Sequence, residues 1–239
     1  MRGLVIAIQF LTSLPTPKVR SDDLSFARSM RWFPAVGLLI GVLIGGAAWA
    51  AYHADAWTGA LAALVIWVAV TGALHLDGLS DFADASGAAH KDRERLLAVL
   101  SDPHIGSFGV VAIGVQLIAK LVLLHGLIEA SLFRAIIVIP FAARLGPLAW
   151  ARWLPPLHEG LAARFRFAIR PFDIVTWSIA LLAASICAPA LALTPLLIVL
   201  WGWWTMRTLG GISGDSHGAG IELTETSLLF AVLIYKHIL

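Results

Sequence analysis

Stretches of about twenty apolar residues, the length a helix needs to cross a hydrocarbon core, recur at residues 33 to 52, 56 to 76, 107 to 128, 131 to 150 and 173 to 193, and shorter ones follow at 194 to 207 and 226 to 239. Such repetition leaves few folds open. Of the 239 residues 59% are apolar and only 13% charged, whereas a soluble domain carries roughly a quarter charged residues. That is too little charge to coat a surface facing water. The expected fold is all-α, a polytopic membrane helix bundle of about seven transmembrane helices, forming one domain over residues 1 to 239. Pro189 and Pro195 blur the border between the spans at 173 to 193 and 194 to 207. Residues 3 to 14 are apolar but too few to span, and Pro15 and Pro17 close them. An interfacial or re-entrant helix is expected there, with no small-residue cleavage site of a signal peptide.

Counting spans in order puts the N-terminal segment and the loops around 77 to 106, 151 to 172 and 208 to 225 on one side. That side holds thirteen of the seventeen Lys and Arg residues, and the opposite connections near 53 to 55, 129 to 130 and 189 to 195 hold none. The positive-inside rule makes the basic side cytoplasmic. Ten of the fifteen acids, from Asp77 to Glu225, follow to the same loops or the helix ends leading into them, although the rule does not require it. A net charge of +2 gives no footing for a nucleic-acid partner. Cys187 stands alone in an apolar run, so neither a disulfide nor thiol chemistry is expected.

The densest polar segment is TGALHLDGLSDFADASG, residues 71 to 87, carrying His75, Asp77, Asp81 and Asp84. Aspartates at i, i+4 and i+7 fall within an arc of about 60° on a helix turning roughly 100° per residue. Three like charges on one face repel unless a cation lies among them or their pKa values rise. Oxygen-only ligands suit a hard ion, and magnesium characteristically keeps several waters while bridging carboxylates to substrate phosphates. A solvated helix end is the plainer alternative, against which stand the apolar neighbours Leu76, Leu79 and Phe82.

Two further segments are polar. LSDPHIGSFG, residues 100 to 109, places Asp102, two glycines and Ser107 just before a span, where N–H groups at a helix start favour phosphate. A Pro-Gly turn with Asp102 or Ser107 as N-cap reads equally well. RTLGGISGDSHGAGIELTE, residues 207 to 225, interleaves glycines with Ser213, Asp215, His217, Glu222 and Glu225. Phosphate or metal capture would use such groups, and a glycine-rich connector looks similar. Within the spans, Lys120 and Arg144 should face the bundle interior, either as a diphosphate clamp or paired with an acid. The ten tryptophans fit interfacial belts.

Taken in order, FLTSLPTP at 10 to 17, WFPAVGLLIG at 32 to 41, TGALHLDGLSDFAD at 71 to 84, SDPHIGSFG at 101 to 109 and GGISGDSHGAGIELTE at 210 to 225 resemble the motifs of the cobalamin synthase family, over essentially the whole chain. The resemblance implies a transferase of the bacterial inner membrane with its site on the cytoplasmic side. In that family α-ribazole or its phosphate displaces GMP from adenosylcobinamide-GDP, giving adenosylcobalamin or its phosphate, with magnesium as cofactor. Carried over by position, Asp77, Asp81 and Asp84 match the DGLxDxxD pattern as catalytic magnesium ligands, and Asp102 and Asp215 would complete the set. His75, Ser107, Lys120, Arg144, Ser213 and Glu222 are the expected substrate-binding residues. A homo-oligomer is compatible with this reading. Two departures stand out: His217 occupies a position where many members have an apolar residue, and His158, Glu159 and Gly160 replace the family's usual arginine or glycine variants.

Two rival readings make different demands. A phospholipid enzyme like the CDP-alcohol phosphatidyltransferases would need an Ala-Arg pair after the first aspartate and a further glycine between acids, and neither follows Asp77. An ion-coupled transporter would hold its carboxylates near the bilayer midplane in paired repeats, whereas these acids gather at one face and no repeat is evident.

Overall fold

The computed structural model describes residues 2–88, 93–100, 102, 104–157 and 168–238. The helices are α1 (Arg2–Leu11), α2 (Asp23–Ser29), α3 (Phe33–Tyr52), α4 (Ala56–Thr71), α5 (Leu74–Ala88), α6 (Arg93–Leu100), α7 (Ser107–Glu129), α8 (Phe133–Ala143), α9 (Leu145–Trp153), α10 (Pro171–Cys187), α11 (Thr194–Thr208) and α12 (Gly214–Ile238). Short 3-10 turns, Met30–Trp32 and Pro189–Leu193, lead into α3 and α11. Among the described residues five continuous stretches are long and apolar enough to cross a bilayer: Asp23–Tyr52, Ser107–Glu129, Phe133–Trp153, Pro189–Thr208 and Gly214–Ile238. The polytopic all-α bundle is as expected, and the described residues do not confirm the count of seven. The stretch read as one span from 56 to 76 is two helices, α4 and α5, bent by 84°, and the pair makes a sixth span only if counted as one. Helix α10 has 17 residues, short of the roughly 20 that a crossing needs.

The bend has a local cause. Helix α4 closes with Gly72 at φ 58° and Ala73 at φ 59°. Gly72 N–H reaches Ala69 O at 3.3 Å and Ala73 N–H reaches Val68 O at 3.1 Å, the paired bonds of a Schellman cap. Two successive left-handed residues turn the chain sharply. Ser13 adds to the cap, its hydroxyl sharing Ala69 O at 2.5 Å and its N–H taking Val70 O at 2.7 Å. That pins the segment after α1 to the point where α5 departs.

Packing is closest where side chains vanish. Along α3, a Cβ at Gly37, Gly41 or Gly45 would run into Pro140 or Ile137 of α8, so this small-residue stripe sets the approach of the two helices. The outward faces are apolar: Phe172, Val175, Ile179, Leu182 and Ile186 of α10 are all exposed, Ile186 by 84%. Lys120, Arg144, Glu222 and Glu225 are buried. That inverts the arrangement of a soluble protein.

Two sequence-based boundaries move. The border expected near 193 falls at Ala188, whose extended backbone (φ −146°, ψ 90°) ends α10 ahead of Pro189. The connector expected over 208 to 225 is mostly helix, since α12 starts at Gly214. A reciprocal cap explains the early start: Ser216 N–H donates to Ser213 Oγ at 3.2 Å and Ser213 N–H donates to Ser216 Oγ at 2.7 Å. Glu222 and Glu225 consequently lie inside the bundle rather than in a loop. The departures at His158, Glu159 and Gly160 lie outside the described residues.

Candidate active site

Helix α5 carries His75, Asp77, Asp81 and Asp84, and helix α12 begins with Asp215 and His217. The two helices meet almost backbone to backbone: a Cβ at Gly78 would lie 2.7 Å from Asp215 O, and one at Gly218 would lie 3.3 Å from His75 Cα. This contact delivers Asp215 to the aspartate face of α5. The carboxyl of Asp81 feels the charges of Asp77, Asp215 and Asp84, so acids more than a hundred residues apart form one negative field.

Asp84 differs from its neighbours. Its Oδ2 accepts Gly106 N–H at 2.8 Å and its Oδ1 accepts Gly109 N–H at 3.0 Å. It therefore caps α7 from a distance, favourable for an anion at a helix start. Amides that the sequence offered to phosphate near Ser107 are taken by this carboxylate, and Ser107 lies exposed in the first turn. Asp102 accepts His104 N–H at 3.0 Å and its ring Nδ1 at 2.7 Å. That backbone N–H, with the ring beside it, holds the Asp102 carboxyl below its usual range. Its hydrogen bonds thus go to His104 and not to the α5–α12 acids.

The expected clamp is paired internally. Lys120 Nζ lies 2.8 Å from Glu222 Oε2 and 2.7 Å from Glu225 Oε2, and 4.0 Å from the centre of the Trp67 ring. Arg144 Nη1 lies 2.6 Å from Glu225 Oε1, while its Nε and Nη2 have no hydrogen-bond partner among the described residues. Gln116 Nε2 donates to Glu222 Oε2 at 2.8 Å. His75 is within electrostatic reach of Arg144 and Lys120. The structure thus pairs Lys120 with Glu222 and links both to Arg144 through Glu225. Ser213 caps α12 and reaches Asp215 Oδ2 at 3.4 Å.

Beside the acids lies a cavity of about 220 Å³, lined by Phe10, Leu11, Met30, Phe33, Leu74, His75, Asp77, Pro147, Gly214, Asp215, His217, Gly218 and Ile221. His75 and His217 are buried, and none of their four ring nitrogens has a hydrogen-bond partner among the described residues. Three tryptophans depart from the belt expectation. Trp67, Trp150 and Trp201 are buried; Trp201 donates to Ser216 O at 3.0 Å, and the Trp150 ring lies 6.0 Å from that of His217. Trp203 and Trp204 stay half exposed.

Among the described residues, no three Asp, Glu, His or Cys side chains gather tightly enough to hold a metal ion alone. The donor set still suits magnesium, which is commonly bound through one or two carboxylates, with waters and substrate phosphates completing the shell.

The profile of the cobalamin-5-phosphate synthase family matches residues 3–233. The chain belongs to this family. A relative from Novosphingobium aromaticivorans, named adenosylcobinamide-GDP ribazoletransferase, is 65% identical over 238 residues, 98% of this chain and 97% of its own. Relatives of the same name from Thiobacillus denitrificans and Brevibacillus brevis are 46% and 32% identical, each covering at least 94% of both chains. No solved structure matches. For this cobalamin-5-phosphate synthase family member, the cavity adds residues that charge patterns could not reveal. Phe10, Leu11 and Phe33 belong to FLTSLPTP and WFPAVGLLIG, apolar segments that only their family resemblance tied to function.

Proposed function

We propose that this protein is a magnesium-dependent adenosylcobinamide-GDP ribazoletransferase. A ribose hydroxyl of α-ribazole, or of α-ribazole phosphate, attacks the phosphorus bonded to the cobinamide arm. The bond from that phosphorus to the bridging oxygen breaks, GMP leaves with the oxygen, and the hydroxyl proton passes to a carboxylate. The product is adenosylcobalamin or its phosphate. The observation that carries this reading is the α5–α12 contact at Gly78, which brings Asp77 and Asp215 to one pocket with Asp81 in their field.

Phosphoryl transfer asks a protein mainly for positioning and charge neutralisation. Asp77, Asp81 and Asp215 would hold magnesium together with waters and the substrate's phosphates, and its charge would offset that of the diphosphate and of the departing GMP. Asp84 keeps α5 in register with α7, and one of the remaining carboxylates takes the proton. The bilayer would be the bacterial inner membrane, with these acids at its cytoplasmic edge.

Asp77→Asn, Asp81→Asn and Asp215→Asn should each lower GMP release by about 10²-fold or more while the protein still inserts into membranes. Wild-type rates in all three at limiting magnesium would sink the metal assignment. Release of CMP from a CDP-alcohol donor, without GMP from adenosylcobinamide-GDP, would replace the reaction itself.

A further inference from the structure

Two buried imidazoles without hydrogen-bond partners among the described residues need explaining, because an unpaired polar group inside a protein is costly. His75 is 3% and His217 6% exposed, and both line the 220 Å³ cavity whose other walls are mostly apolar, among them Phe10, Leu11, Phe33 and Ile221. The cavity falls below the roughly 300–1,000 Å³ of pockets that take whole drug-sized ligands. A corrinoid or a guanine nucleotide is too large for it. A phosphate would meet greasy walls and the carboxylates of Asp77 and Asp215. What fits is one flat, apolar bicycle with a hydrogen-bonding atom at its edge.

Resting on the transferase reading above, we propose that this pocket holds the benzimidazole base of the ribazole, and that an imidazole N–H of His75 or His217 donates to the base's free ring nitrogen. A neutral imidazole has one N–H to give and one lone pair, and the free nitrogen has one lone pair to fill. With the base seated, the ribose leaves the pocket where Asp77 and Asp215 line it. Its hydroxyl has to be there to reach the phosphorus. The pocket therefore orients the nucleophile as well as selecting it.

The test uses purified full-length protein in nanodiscs and two probes, α-ribazole and the matching riboside in which indole replaces benzimidazole, removing the free nitrogen. Wild-type protein should bind α-ribazole at least about fivefold more tightly than the indole riboside, the worth of one neutral hydrogen bond. His75→Leu or His217→Leu should lose about the same factor for α-ribazole and nothing further for the indole riboside. In turnover the KM for α-ribazole should rise while that for adenosylcobinamide-GDP stays put. His217→Leu should also raise the thermal midpoint, because it removes an unpaired polar group; a histidine that merely packed would lower midpoint and affinity together. Equal binding of the two probes by wild type, or unchanged α-ribazole binding in both variants of an enzyme that still releases GMP, would overturn the pocket assignment alone. Wild-type protein that neither binds α-ribazole nor releases GMP would overturn the transferase reading and this inference with it.

Discussion

At Gly78 a missing side chain decides whether the acids meet. A Cβ there would approach Asp215 O to 2.7 Å and its Cα to 3.0 Å, and both are backbone atoms that cannot step aside. Gly78→Ala has to part or rotate α5 and α12. Overpacking of this kind costs about 1–3 kcal/mol, whereas displacing catalytic groups by ~1 Å can cost 10²-fold in rate. Turnover should therefore fall far more than the thermal midpoint does. A Gly78→Ala enzyme with wild-type GMP release would show that the contact is dispensable. The spacing of Asp77, Asp81 and Asp84 was legible in the sequence because helical periodicity fixes which residues share a face. It cannot tell which partner each will find. Asp84 turns both oxygens to amides of α7, and Lys120 and Arg144 spend their charge on Glu222 and Glu225, partners 81 or more positions away.

Among the elements, the junction of α4 and α5 was the least readable. Apolar residues run through it without a proline, and the break lies in the backbone of Gly72 and Ala73. The reverse happened in α12, where glycines that suggested a loop instead let the helix lie against α5 and against the rings of Trp150 and Trp201. Backbone energetics predict an asymmetry between the two junction residues. Gly72→Ala adds a side chain to a left-handed position and should cost about 1–2 kcal/mol. Ala73→Gly relieves a similar strain but adds roughly 0.5–1 kcal/mol of unfolded-state entropy, so its net effect should be small. Unfolding midpoints of both variants in one detergent test this. Equal losses would mean that the 84° turn is held by Ser13 and its surroundings rather than by local conformation.

Across the whole molecule, the exposed apolar side chains and the buried charges inside were anticipated in kind: so few ionisable residues had to be buried against one another or kept at one end. The buried set is balanced, Lys120 and Arg144 against Glu222 and Glu225, and it joins α7, the α8–α9 junction and α12. Such a network is weak evidence of net stability but is expensive to break, because removing one partner strands a buried charge at a cost of about 3–5 kcal/mol. Glu225→Gln leaves both cations facing a single carboxylate and should lower the unfolding midpoint steeply. Lys120→Met combined with Glu222→Gln removes one charge of each sign and leaves the Arg144–Glu225 pair intact. That double variant should be more stable than Lys120→Met alone, as measured by thermal unfolding in nanodiscs. If the double variant is no more stable than Lys120→Met alone, a stranded Glu222 costs nothing, and these helices are held together by packing rather than by this network.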